Sequence, residues 1–114
     1  MLITSNPNQI EYKTEELHIS VLGGINLTAL DRLRVTLKVN KLENEVLAIR
    51  HNVDLYNDIQ VEKLVRRIAE RLEIGTIGIR TELQNLIALL EPYRLELIEK
   101  QSETPKPIIK VLSH

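Results

Sequence analysis

Two hydrophobic periods succeed one another along this chain, and the change between them marks its layout. From Leu33 to Val39 the alternation is strict, with Leu33, Val35, Leu37 and Val39 pointing one way and Arg34, Thr36 and Lys38 the other. That beat of two predicts a half-buried strand of an antiparallel sheet. The polar stretch from Asn40 to Glu45 predicts a turn, after which Leu47, Ile49, His51, Val53 and Leu55 form the inner face of a returning strand. Ala48, Arg50, Asn52, Asp54 and Tyr56 then face outward. Upstream, Ile10 to Leu22 is strand-like, with Leu17, Ile19 and Val21 on one face and a hairpin turn or bulge at Thr14-Glu15-Glu16. Gly23-Gly24 is expected to end that run because glycine offers the dihedrals of a turn. Asn26 stands where it would cap one or two helical turns before Leu33.

At Asn57 the beat lengthens to that of a helix. Asn57 is placed to cap the first-turn amides, Gln60 sits at the reciprocal capping-box position, and Tyr56 is placed to staple onto Val61. Val61, Leu64, Val65, Ile68 and Leu72 make the apolar stripe, and Gly75 is expected to stop the helix in a left-handed conformation. Thr76 is expected to cap a second helix in which Ile79, Leu83, Leu86, Leu90, Tyr93 and Leu97 repeat with the spacing of a coiled-coil seam, widened by Ile87, Leu89, Leu95 and Ile98. Pro92 falls inside it and predicts a kink or a break. The fold class that follows is α+β: a small antiparallel β-sheet of three to four strands, then a two-helix α-hairpin packed on one face. One domain is expected over 10–101, between a loose leader at 1–9 and a Pro-containing linker or tail at 102–114. The tail's apolar Ile108, Ile109, Val111 and Leu112 make the chain look cut from something longer.

Composition narrows the picture further. With 114 residues, 43% hydrophobic and 27% charged, the chain has the make-up of one ordinary globular domain. It has no Phe and no Trp, only Tyr12, Tyr56 and Tyr93. The core must therefore be built from Leu, Ile and Val, and base stacking has little to work with. A net charge of −1 gives no global attraction to phosphate, so any polyanion contact must come from local clustering. No Cys and three scattered His supply neither a disulfide frame nor a metal-ligand set, and no cofactor is expected. No apolar run is long enough for a signal peptide or a membrane span, which leaves a cytoplasmic location and no membrane partner as the expectation.

The candidate nucleic-acid-binding residues fall in two groups. Arg34, Lys38 and Arg50, with Thr36 and Asn52, lie on the outward side of the central hairpin, and Lys63, Arg67 and Arg71 recur every four residues along the first helix. Each group also has a plain reading, a sheet face or helix stripe kept soluble by its charges. His51 falls inward and reads as a hydrogen-bonded core histidine. Gly23-Gly24 is no phosphate loop, since neither a Walker pattern nor a GxGxxG surrounds it. The carboxylates sit on turns and exposed helical faces, and no nucleophile, base and orienting acid come together, so no enzyme is expected. Leu83, Leu86, Leu90, Tyr93 and Leu97 form a stripe that either packs inside the domain or pairs with a second copy of the chain.

At LHISVLGGINLTALDRLRVTLKV and again at LAIRHNVDLYNDIQVEKLVRRIAERLEI, the sequence resembles a segment of the large primase/helicase-type replication proteins of bacterial mobile elements. The likeness covers about positions 9 to 101. In those proteins the similar region lies between or beside a Cys/His zinc-binding primase module and a helicase-like ATPase. This chain has neither the zinc-ligand cysteines nor a Walker-type loop, so the resemblance implies a non-catalytic accessory or linking domain in DNA replication. Its implied partners are DNA and neighbouring primase or ATPase domains. The alternative is a protein-interaction or dimerisation module that uses the long second helix and touches no nucleic acid.

Overall fold

The computed structural model describes residues 10–103; the expected leader at 1–9 and the tail from 104 onward lie outside the described residues. Four strands come first, β1 (Glu11–Lys13), β2 (Leu17–Leu27), β3 (Leu33–Lys41) and β4 (Asn44–Asp54), followed by α1 (Asp58–Leu72) and α2 (Thr76–Glu103). The strands make one antiparallel sheet in the order β1-β2-β3-β4, so each sequence neighbour is a spatial neighbour. The α+β architecture read from the periodicity is the one observed.

One face of the sheet carries the core. Leu17, Ile19 and Val21 of β2, Leu33, Val35, Leu37 and Val39 of β3, and Ile49 and Val53 of β4 are all buried. Against them α1 brings Leu64, Val65, Ile68 and Leu72, and α2 brings Ile79, Leu83, Leu86 and Leu90, in a single hydrophobic cluster. The helix layer follows the order of the sheet, with α1 against β4 and α2 against β2. The opposite face of the sheet is left to its polar residues, as an antiparallel sheet permits.

Several local expectations are corrected. Gly23-Gly24 does not end β2: the two glycines take φ of 71° and 77° and the strand continues to Leu27. Leu22 pairs with Thr36 and Asn26 with Arg34, so three residues of β2 bulge opposite one of β3. An even insertion returns later side chains to their original face, and glycine allows the positive φ that the bulge requires. Asn26 accordingly lies in the strand and caps no helix. Thr28 organises the connection to β3: its hydroxyl accepts from the Leu30 and Arg32 amides and its carbonyl from the Asp31 amide. The β3–β4 turn is also tighter than predicted, with only Leu42 and Glu43 between the strands.

At the helix ends the roles are redistributed. Asn57 caps α1 as predicted, accepting from the Ile59 and Gln60 amides. Gln60 does not close a capping box; its Oε1 accepts from the Asp54 amide at 2.9 Å, reaching past the cap to the end of β4. The left-handed residue that ends α1 is Glu73 (φ 55°, ψ 47°) rather than Gly75. Gly75 instead opens α2, its carbonyl accepting from the Ile79 amide at 3.3 Å, and Thr76 is the first helical residue.

α2 is not broken at Pro92 but runs through it as one helix to Glu103. The helix is held on both sides of the proline. Leu90 is fully buried before it, and beyond it Arg94 donates to the Asp31 carbonyl at 2.8 Å. An interior proline removes one ladder bond and crowds the preceding turn, at a cost of roughly 3 kcal/mol relative to alanine. Because Pro92 and Ala88 are both exposed, the Ala88 carbonyl that loses its donor is left to water. Pro92→Ala is therefore expected to raise stability by about 1–3 kcal/mol, read as a higher urea midpoint. An unchanged or lower midpoint would mean that the proline ring contributes packing that offsets the lost ladder bond.

Candidate nucleic-acid interface

The edge of the sheet at β4 is where the candidate cations meet. The Leu55 amide donates to the Leu33 carbonyl at 2.9 Å, and with the register Val35↔Val53, Leu37↔His51 and Val39↔Ile49 this fixes which β4 residues bond to β3. By the alternation of antiparallel ladders, Ala48, Arg50 and Asn52 direct their amides and carbonyls away from the sheet. Among the described residues β4 has no further strand beside it, and there it is a free edge.

Asp54 ends that edge, and its placement corrects the outward position expected for it. It is 5% exposed. Its Oδ1 accepts from the Tyr56 amide at 2.9 Å, its Oδ2 lies 3.6 Å from the Arg32 guanidinium, and its own amide is the one held by Gln60. The carboxylate folds back into the strand-to-helix junction, so it does not interrupt the basic face. A strand runs straight into an arginine-rich helix here because this junction leaves no slack: Asp54, Asn57 and Gln60 together bind the amides on both sides of the corner.

On the open face, Arg34, Lys38 and Arg50 share a side as predicted, but they are differently engaged. Arg34 donates to Asn52 Oδ1 at 3.0 Å, and Asn52 in turn donates to the Thr36 hydroxyl at 2.9 Å. Lys38 lies 3.9 Å from Glu45. Arg50 is exposed, directly opposite Lys38 in the register, and makes no ion pair among the described residues. Like charges facing each other across a ladder are unfavourable, so an anion that settles beside Arg50 relieves a local repulsion.

On α1 the stripe divides. Glu62 pairs with Arg80 of α2, its carboxylate held below its ordinary value chiefly by hydrogen bonds from that guanidinium, which fixes the side of α1 that faces α2. The opposite side faces the β4 edge. Arg67 and Arg71 lie there, and with Ala48, Ile49 and Glu70 they line an open groove beside the strand. Lys63 is turned further out and borders a different surface depression with Asp58, Ile59, Glu62 and Arg66. Arg67 is positioned by His51, which is hydrogen-bonded as expected but only half-buried and outside the core cluster: Arg67 donates to His51 Nδ1 at 3.2 Å. Burial, and next the Arg67 charge, push the His51 imidazole below its ordinary value, which keeps the ring neutral and able to accept that bond.

The α2 stripe goes mostly into the domain's own core. Leu83, Leu86 and Leu90 are 1%, 0% and 0% exposed, and Tyr93 and Leu97 are half-buried. What remains outward is scattered. Leu89 and Leu95 are 38% and 53% exposed, yet six positions at about 100° each set them roughly 120° apart around the helix axis. They do not form one stripe. The second half of α2 is tied down by a polar clamp in which the Tyr56 hydroxyl donates to Glu91, Arg94 chelates Glu91, and the Arg94 guanidinium sits 5.3 Å from the Tyr56 ring centre. Hydrogen bonds from Arg94 and then Tyr56 hold the Glu91 carboxyl low, while burial and Glu91 push the Tyr56 phenol up. Neither the clamp nor the placement of Gln60 was visible from sequence, since both depend on contacts between residues whose spacing carries no periodic signal.

Among the described residues, no group of three His, Asp or Glu side chains could hold a metal ion, and no helix is long and apolar enough to cross a membrane. No protein-family model matches the chain, and neither a curated protein nor a solved structure matches it.

Proposed function

We propose that this domain is a non-catalytic accessory module of a primase/helicase-type replication protein, and that it contacts DNA through the free edge of β4. The observation that carries the reading is convergence: Arg50 from the sheet and Arg67 and Arg71 from α1, exposed side chains on different elements, border the same strand edge, whose amides also point outward. Such donors suit phosphate oxygens, which bind without a dry pocket or a cofactor. Arg34 and Lys38 extend the same open face, and Lys63 lies on the outer flank. Neighbouring primase and ATPase domains would supply the chemistry in a longer chain working in the cytoplasm.

A salt titration tests this. For a labelled 20-base-pair duplex, three phosphate contacts give a slope of log K against log salt of about −2.7. Reversing Arg50 and Arg67 together (Arg50→Glu, Arg67→Glu) is expected to flatten that slope by about 2 and to weaken binding at low salt. Undetectable duplex binding by the wild-type chain at low salt would count for the other proposal, a protein-interaction or dimerisation module that uses the long helix α2 and touches no nucleic acid.

A further inference from the structure

We infer that the DNA partner is a duplex, entered at its major groove by the β4 edge, with Arg50 reaching one phosphate backbone and Arg67 and Arg71 the other. This rests on the nucleic-acid reading above and goes beyond it to the kind of ligand and its pose. The first ground is the shape of the basic region. Arg50 projects from the open face of β4, whereas Arg67 and Arg71 belong to α1 on the core side, where they line the groove beside the strand. The cations thus flank a ridge on both sides and do not pave a single surface. The flanks are separated by a strand and part of a helix, on the order of 10 Å, close to the roughly 12 Å width of the B-form major groove. A duplex offers phosphate on both walls of that groove. A single strand offers one line of charge, which can follow only one flank at a time.

The second ground is the fate of the aromatic residues. Single-strand sites combine cations with exposed rings on which bases stack. The chain has no Phe and no Trp, and all of its tyrosines are committed elsewhere. Tyr12 is 5% exposed with its hydroxyl bonded to Glu82 at 2.9 Å, Tyr56 is held in the clamp with Glu91 and Arg94, and Tyr93 packs half-buried against the core. The ridge therefore binds by charge and backbone amides, and it favours the ligand with the denser charge: duplex DNA carries one charge per roughly 1.7 Å of axis. The groove of A-form RNA is too deep and narrow to admit such an edge. Glu70, which lines the same groove as Arg67 and Arg71, repels phosphate and so limits the strength of the contact.

Fluorescence polarisation on the whole chain tests the pose with three probes of one sequence: a 20-base-pair DNA duplex, its single strand, and the corresponding RNA duplex. The DNA duplex is expected to bind at least about fivefold more tightly than either other probe at 50 mM salt. Arg50→Gln and the pair Arg67→Gln with Arg71→Gln are each expected to weaken the duplex, lowering its salt slope by about 1 and about 2. Arg66→Gln, the same loss of charge on a side chain near Glu62 and away from the ridge, is expected to leave the slope unchanged. Circular dichroism on each variant confirms that these exposed changes keep the fold. Single-strand binding equal to or tighter than duplex binding, or sensitivity confined to one flank, overturns the duplex pose and leaves the DNA reading standing. No binding by any probe overturns both.

Discussion

Replacing Leu86 by alanine is expected to cost about 2–5 kcal/mol of unfolding free energy, the largest effect of any single change considered. Leu86 is 0% exposed in the middle of the α2 stripe, between Leu83 and Leu90, in the cluster that joins both helices to the sheet. Truncation to a methyl group removes the three heavy atoms beyond Cβ and leaves a cavity that a Leu-, Ile- and Val-filled core cannot readily collapse, because β-branched neighbours have few rotamers to move into. A domain of this size is stable by only about 5–15 kcal/mol, so the loss is a large share of the whole. Urea denaturation reads it, with Leu89→Ala as the comparison: Leu89 is 38% exposed on the same helix and is expected to lose less than about 1 kcal/mol. The loss at Leu86 should not depend on protein concentration. A concentration-dependent loss would place Leu86 in a contact between copies of the chain, because coupled folding and association follow mass action.

The second large effect is expected at Asp54. Asp54→Ala leaves the Tyr56 amide without its acceptor and the Arg32 guanidinium without its nearest carboxylate, at a nearly buried corner. An orphaned buried donor costs about 1–3 kcal/mol, and here a second, weaker ion-pair contribution adds to it. The backbone amide of Asp54, which both variants keep, still bonds Gln60 and ties the first turn of α1 to the strand edge, so the loss falls on the Tyr56 and Arg32 contacts. Asp54→Asn, which keeps an acceptor for the Tyr56 amide, is expected to lose less than half as much. If the two variants are equally stable to urea, the hydrogen bond to Tyr56 is not what holds the corner.

These two residues also show what could be read from the sequence and what could not. Leu86 was legible because burial in a helix leaves a periodic signature, and the same holds for Val35, Leu37, Val53 and Ile68, which occupy the faces their spacing assigned. Asp54 was misassigned by that same rule. Strict alternation put it outward, but the last residue of a strand feels the turn more than the pleat, and a carboxylate there is drawn to free amides. Gly23-Gly24 misled for a related reason. Glycine signals an unusual dihedral without saying whether the chain turns or only bulges, and pairing with β3 over the full length of β2 decided for the bulge. Glu73 takes the left-handed position expected of Gly75, within a short connection where a shift of two residues is beyond the resolution of periodicity.

The candidate cations were legible individually but not as a group. Arg50, Arg67 and Arg71 were named from two separate elements, and nothing in the spacing reveals that the side of α1 opposite Glu62 faces the free edge of β4. That follows from the order of the helix layer, α1 against β4 and α2 against β2. Lys63, one turn before Arg67, leaves the group through the slow rotation of a four-residue repeat, which advances by about 40° per step.

The most direct measurement is an amide map of the whole chain, with ¹⁵N-labelled protein titrated by an unlabelled 20-base-pair duplex at low salt. Shifts are expected along the β4 edge at Ala48, Arg50 and Asn52 and on α1 at Arg67 and Arg71, with Leu89 and Leu95 on α2 unmoved. Shifts clustered on α2, or none at all at saturating duplex, would contradict a DNA contact at the edge of the sheet.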